Sequence, residues 1–235
     1  MGAIRINRVY DWSDWAGFAV FTLLWVGVVS TTPALGIMTA PLVLHPILSS
    51  AGFLLRKPLV SVAPGILPRL AGYLGTFGVM ACFAGFQTWY PSWMAPASNA
   101  HLRNAGTCIW ALGAVFDVWA VWSLRHGMSI IPQARTLITT GAYRYVRHPL
   151  YAAYILQNIG LSLRYPSFAV FSVVLGWFLL ALLRVRYEEA VLTRNFPDYS
   201  TYRRHVGMFF PRLQKQKPLT ADEQLTAAED RLAEC

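Results

Sequence analysis

Within five residues the chain places Arg144, Arg147 and His148, and Pro149 follows the histidine directly. Proline fixes φ near the helical value and lacks an N–H, so it fits the first turn of a helix. The residue before it is pushed out of the helical conformation. This spacing predicts a helix that starts at Pro149, with His148 held off its axis at the N-terminal mouth. Such a mouth carries unpaired N–H groups and the positive end of the helix dipole. With two arginines beside it, the mouth suits a carboxylate or a phosphate. Arginines alone would also follow from membrane topology and contact with lipid phosphates. The histidine, the proline and the nearby tyrosines are what add chemistry to them.

Glu188 and Glu189 are adjacent acids at the end of an apolar run, where anionic lipid would repel them. Arg184 precedes Glu188 by one helical turn, the weaker order for an ion pair on an exposed face. A surface pair is one reading. The other has one acid facing inward to accept hydrogen bonds from a sugar or an amine. Tyr143, Tyr145, Tyr151, Tyr154, Tyr187, Tyr199 and Tyr202 gather in the same region. Most suit interface anchoring, and one or two can turn a ring face to a bound cation. Asp117 lies in the middle of an apolar stretch with no partner evident in the sequence. At that depth it is a functional candidate, a partner for an arginine across the bundle, or a protonated acid. His45, before Pro46, reads as an interfacial or packing histidine.

The elements that must position these residues are apolar. Of 235 residues, 55% are hydrophobic and 13% charged, about half the charged share of a soluble domain; mean hydropathy is +0.41. No Asp, Glu, Lys or Arg occurs from Trp15 to Leu55 or from Leu70 to Tyr90. Asp117 is the one charge from Ala105 to Leu124, and Arg164 the one from Tyr151 to Leu183. A span needs about 20 apolar residues. Spans are expected at 15–32, 35–55, 70–90 and 105–124, then a hairpin of two short helices turning at Arg164–Pro166. The expected fold is an all-α, polytopic transmembrane helix bundle of about five or six spans with a cytoplasmic C-terminal helical extension. Gly72, Gly75 and Gly78 suit close helix packing. The expected units are a transmembrane scaffold over 1–124, a functional region over 125–213 and a soluble acidic tail over 214–235, whose Thr220 and Glu223 make a capping-box pattern.

The formal charge of +9 is placed asymmetrically. With six crossings, 17 of the 19 Lys and Arg before residue 218 fall on one side and only Arg103 and Arg164 on the other. Positive loops stay cytoplasmic, so an integral multi-pass membrane protein with both termini cytoplasmic is expected. Topology and anionic lipid explain the basic balance without a nucleic acid partner. No cleavable signal peptide is evident. Cys82, Cys108 and Cys235 have no spacing suited to a metal or a redox pair, and no metal site is expected. The glycine-rich nucleotide loops and the HExxH and GxSxG motifs are missing from the sequence.

The run TTGAYRYVRHPLY, followed about forty residues later by RYEEAVLTRNFPDYSTYRRHVGMFFPRL, resembles the isoprenylcysteine carboxyl methyltransferase and phospholipid methyltransferase superfamily. The resemblance covers about Arg125 to Leu213; the earlier spans are alike only in being apolar. It implies an integral membrane enzyme that uses S-adenosylmethionine on its cytoplasmic side. It places Tyr143, Arg147, His148, Pro149, Leu150, Tyr151 and Glu188 with the cofactor. It places Arg184 and Glu189 with catalysis or substrate orientation. Ala142, Ala153 and Pro197 depart from the family pattern, which has proline, glycine and glycine there; Ala153 adds a methyl group where close approach is usual.

The methyl acceptor is expected to be lipophilic or small, with an isoprenylcysteine carboxylate favoured and a phospholipid or thiol as alternatives within the superfamily. Membrane lipids are the surroundings, and the sequence is silent on oligomeric state. A carboxylate or thiolate acceptor is already a nucleophile, so catalysis would rest on positioning and desolvation. A membrane NADPH-dependent reductase of the sterol type shares a similar C-terminal architecture, but its usual ending is missing after Glu189. A transporter component would need more intramembrane charge than Asp117.

Overall fold

A chain that crosses lipid must satisfy its backbone polar groups within each crossing segment, which selects helices. A computed structural model describes residues 40–212 together with Trp15, Phe18, Ala19, Thr22, Leu23 and Val26. The polar lead over 1–14, most of the first expected span over 15–32, and the tail over 214–235 with its capping box lie outside the described residues. The helices are α1 (Ala40–Leu55), α2 (Ile66–Tyr73), α3 (Val79–Trp89), α4 (Ala100–Leu124), α5 (Pro149–Arg164), α6 (Phe168–Asn195) and α7 (Asp198–His205). A π turn over Leu74–Gly78 joins α2 to α3 without a break. Among the described residues, three helical stretches are long and apolar enough to cross a membrane: Ile66–Trp89, Ala100–Leu124 and Phe168–Asn195. Pro46 sits inside α1 without ending it. Large apolar side chains on the outside of the bundle, such as Phe168, Phe171, Leu175 and Leu179, are exposed, as lipid-facing residues must be.

The fold is mostly helical but not all-α. β1 (Ser61–Val62) pairs antiparallel with β2 (Gln133–Ala134). Both lie in polar segments between helices, where prolines prevent a helix and the backbone needs partners. Lys57 N donates to His126 O at 2.9 Å and Ala63 N to Pro132 O at 3.0 Å, so these segments form one hydrogen-bonded layer. At the far end of the bundle Ala97 N donates to Arg164 O at 2.8 Å, and Arg103 Nη1 donates to Ala97 O at 2.8 Å. Arg103 and Arg164 both bond to Ala97 there. The hairpin at Arg164–Pro166 forms, but its arms are unequal: α5 has 16 residues and α6 has 28. Ser167 caps α6, its side chain accepting from Val170 N at 3.2 Å.

The most extensive helix contact is α4 against α5, and small residues make it possible. A Cβ on Gly160 would stand 2.5 Å from Gly106 O and from Trp110 N; one on Gly106 would stand 2.6 Å from Gly160 O. The two backbones touch, as small-residue crossings in membranes allow. Ala153 belongs to the same seam: it is fully buried, and its carbonyl is 3.0 Å from where a Cβ on Gly113 would lie. Its extra methyl group is spent on α4. The expected glycine face on the third span is only partly used. Gly72 meets the backbone of Ile130, whereas a Cβ on Gly75 would find nothing within 4 Å. The π turn explains this, because one extra residue in the turn rotates the later residues away from the face that Gly72 occupies.

Gly160→Val must drive α4 and α5 apart. It is expected to cost about 3 kcal/mol, the upper end for overpacking, while Gly75→Ala, whose Cβ meets no described neighbour, is expected to be neutral or to stabilise by up to about 1 kcal/mol. Thermal unfolding of both variants in detergent checks the difference.

Candidate active site

Gly141 has φ of +62°, a conformation that a Cβ disfavours. It turns the chain into a short 3-10 segment, Gly141–Arg144, whose Ala142 N donates to Ser123 Oγ at 3.1 Å. The motif is thus fastened to the end of α4. Pro149 opens α5 as its first residue, and His148 precedes it at φ −127°, ψ 65°, outside the helical region. On its other side the motif is fastened to the segment after α7. Val146 pairs in parallel with Gly207. Arg147 N donates to Gly207 O at 2.8 Å, and His148 N to Met208 O at 3.0 Å.

The anion at this mouth is the protein's own. Glu189 is 6% exposed and Arg147 7%. Arg147 Nε donates to Glu189 Oε1 at 3.0 Å, and His148 Nε2 lies 3.2 Å from the same oxygen. Arg203 Nε is 3.4 Å from Glu189 Oε2. Arg147 Nη1 also donates to the carbonyls of Arg203 at 2.7 Å and Val206 at 2.9 Å, capping the end of α7. Glu189 therefore ties together α5, α6 and α7.

Glu188 has a different set of partners. Its Oε1 accepts from Tyr151 Oη at 2.9 Å and from Arg184 Nε at 2.9 Å; its Oε2 is 3.8 Å from His148 Nδ1. The Arg184–Glu188 pair is largely buried rather than a solvated surface pair. Arg184 completes its fork with Thr76 Oγ1 at 3.3 Å and Ser129 O at 3.2 Å, and its guanidinium lies 5.7 Å from the Tyr151 ring centre. Tyr202 Oη donates to Tyr143 O at 2.6 Å. Burial and then the charge of Glu188 hold the Tyr143 phenol well above its ordinary pKa. Burial raises that of Tyr202 as well. Both phenols stay neutral.

A cavity of about 620 Å³ opens beside these groups. Its wall includes Tyr143, Arg147, His148, Leu150, Tyr151, Arg184 and Glu188. Of the expected site residues, Pro149 and Glu189 stand behind the wall: the first starts the helix and the second holds the arginine and the histidine. The wall also takes residues from before 125, among them His45, Thr76 and Asp117, so the cavity is not confined to 125–213. Thr76, the Ser129 carbonyl, Arg203 and the strap at Gly207–Met208 escaped the sequence reading. The π turn gives no periodic signal, a carbonyl has no side-chain signature, and the strap pairs across about sixty residues. The one legible hint was the RRHVGMFF run near the end of the second motif.

Removing the Glu189 carboxylate leaves Arg147 buried without its counter-charge. Glu189→Ala is expected to cost about 3–5 kcal/mol, as breaking one side of a buried pair does, and to expose the Gly207–Met208 strap. Thermal unfolding and limited proteolysis near Arg203–Arg212 check both.

Residues 102–199 match the phospholipid methyltransferase family. The cobalt-zinc-cadmium resistance protein CzcN of Cupriavidus metallidurans is 30% identical over 139 residues, covering 59% of this chain and 60% of that protein. The nickel-cobalt-cadmium resistance protein NccN of Alcaligenes xylosoxydans xylosoxydans is 29% identical over 136 residues, covering 57% and 60%. The chain spans about three fifths of the length of these curated relatives. The matched segment holds α4, the RHP loop, α5 and the glutamate pair of α6, and stops short of Arg203 and the strap. The phospholipid methyltransferase family that residues 102–199 match belongs to the superfamily of integral membrane methyltransferases that the two motifs resemble.

Proposed function

We propose that the protein is an S-adenosylmethionine-dependent methyltransferase acting on a lipophilic or small acceptor that enters from the bilayer. The observation that carries this reading is one continuous cavity. Charged and phenolic groups of both motifs line one part of it, and the rest is mostly apolar helix face, with His45, Asp117, Gln157 and Asn158 set into it. A volume of about 620 Å³ falls in the range of small-molecule and cofactor sites.

The residues present fit the cofactor. Three arginines (147, 184 and 203) face two glutamates around the motif, which favours a ligand with a carboxylate. The Glu188 carboxylate suits the two hydroxyls of a ribose, and the Tyr151 ring suits a cation. When bound, S-adenosylmethionine supplies a methyl group carried on a sulfonium. The chain's part is to hold both ligands in line and exclude water. Glu189 acts here as a positioning residue, through Arg147 and His148. Pro149 sets where the helix mouth lies, and Leu150 adds an apolar wall. We also place the RHP loop and the glutamate pair on the cytoplasmic side, which follows from the positive loops.

An isoprenylcysteine carboxylate, the acceptor favoured by the motifs, would call on Arg184 as a bidentate partner. In the structure that fork is engaged by Glu188, Thr76 and Ser129. Phospholipid and thiol acceptors need no such partner.

Titration calorimetry of S-adenosylhomocysteine into the protein in lipid nanodiscs tests the reading. Binding is expected, and Glu188→Gln weakens it by roughly tenfold or more, since hydrogen bonds to a charged group are worth about 1.5–3 kcal/mol and about 1.4 kcal/mol is tenfold. Folded protein that binds no S-adenosylhomocysteine would sink the proposal.

A further inference from the structure

The cavity continues past the motif residues into the apolar part of the bundle, and a second polar station stands there. Asp117, two turns before the end of α4, is 5% exposed. Its Oδ2 lies 2.7 Å from His45 Nδ1 on α1. Its Oδ1 is buried and has no hydrogen-bond partner among the described residues. Asp117 and His45 both belong to the cavity wall. His45 Nε2 is 3.4 Å from Ser49 Oγ, and the His45 ring centre is 6.1 Å from that of Tyr154.

The two stations are aligned along α5. Tyr151 reaches Glu188 and Tyr154 reaches His45. Three residues of helix separate them, a rise of about 4.5 Å. A ligand held at the first station therefore has the second within reach of its neighbour in the same cavity. A carboxylate with one oxygen unpaired in an apolar cavity costs stability unless something donates to it. Ionisable groups at such depth generally serve a ligand or a proton.

We propose that the His45–Asp117 pair is the head-group site of the methyl acceptor, and that the acceptor is a lipophile with a neutral hydroxyl or thiol head. The inference rests on the methyltransferase reading and deepens it. Asp117 Oδ1 accepts the hydrogen bond of the O–H or S–H head, while the contact with His45 fixes the other oxygen. The tail lies along the apolar wall. A carboxylate head is rejected, because it would be buried against a like charge and has no hydrogen to donate. If such a head takes the methyl group that S-adenosylmethionine would supply, the carbon–heteroatom bond forms as the carbon–sulfonium bond breaks with its electron pair to the leaving S-adenosylhomocysteine, and the head sheds its proton, the electron pair of the O–H or S–H bond staying on the heteroatom. Asp117 Oδ1 is the atom placed to take that proton.

The experiment compares binding of radiolabelled 1-dodecanol, 1-dodecanethiol and dodecanoate to the protein in nanodiscs, with empty nanodiscs as the blank and S-adenosylhomocysteine binding measured alongside. The wild type is expected to bind the alcohol or the thiol at least tenfold more tightly than dodecanoate. Asp117→Asn and His45→Gln each reduce that binding about tenfold and leave S-adenosylhomocysteine affinity within twofold. The inference is overturned if both folded variants bind alcohol and thiol like the wild type, or if the wild type binds dodecanoate at least as tightly. A wild type that binds the alcohol through Asp117 but no S-adenosylhomocysteine overturns the cofactor reading and leaves the head-group site standing.

Discussion

A carboxylate that is 6% exposed at the end of a long apolar helix has to be compensated, and Glu189 is compensated three times. Arg147, His148 and Arg203 reach it from the mouth of α5 and from α7. Arg147 could not be buried alone, and neither could the glutamate. The arrangement fixes the orientation of α5 relative to α6, sets the side chains that face the cavity, and closes the end of α7 through the two carbonyls held by Arg147. The adjacent Glu188 then points elsewhere by helix geometry alone, since neighbours on a helix lie about 100° apart. One acid holds the frame, and the other faces the cavity.

This division explains why so much of the site could be read from the chain. Pro149 and His148 act through local sterics, which need no tertiary knowledge, and the helix starts where they dictate. The glutamate pair and Arg184 fall at helical spacing, so their common neighbourhood followed from the pattern. The parts that could not be read depend on contacts between distant segments. Asp117 had no partner in the sequence because His45 lies on another helix, 72 residues earlier. Thr76 reaches Arg184 only because the chain between α2 and α3 widens into a π turn, and hydropathy does not register that. The expected glycine face failed at Gly75 for the same reason. The short β pair formed because two proline-bearing loops had unpaired backbone groups, a demand that an apolar-span analysis does not count.

The α4–α5 seam and the cavity are two sides of one decision about residue size. Gly106, Gly113, Ala153 and Gly160 let α4 and α5 touch backbone to backbone. The larger residues of α5, Tyr151 and Tyr154, then point away from the seam and into the cavity. Placing Ala153 on the seam side accounts for how this chain tolerates an alanine at that position: the methyl group is absorbed by packing and does not reach the ligand wall.

The strap that pairs Gly207 and Met208 with Arg147 and His148 has a consequence for the order of events during synthesis. Arg147 and Val206, joined by a hydrogen bond, are 59 residues apart in the chain, and α5 and α6 lie between them. Both helices must be made before the loop at residues 146–148 finds its second edge. The membrane part can therefore be assembled while the loop is still half-paired, and the loop is completed only by a segment emerging after it. A nascent chain halted between Asn195 and Arg203 would hold α1 to α6 but present an unfinished loop with Arg147 lacking two carbonyl partners. Such a chain would be legible to quality-control proteases as incomplete, although the three stretches among the described residues that are long and apolar enough to cross a membrane had already been made.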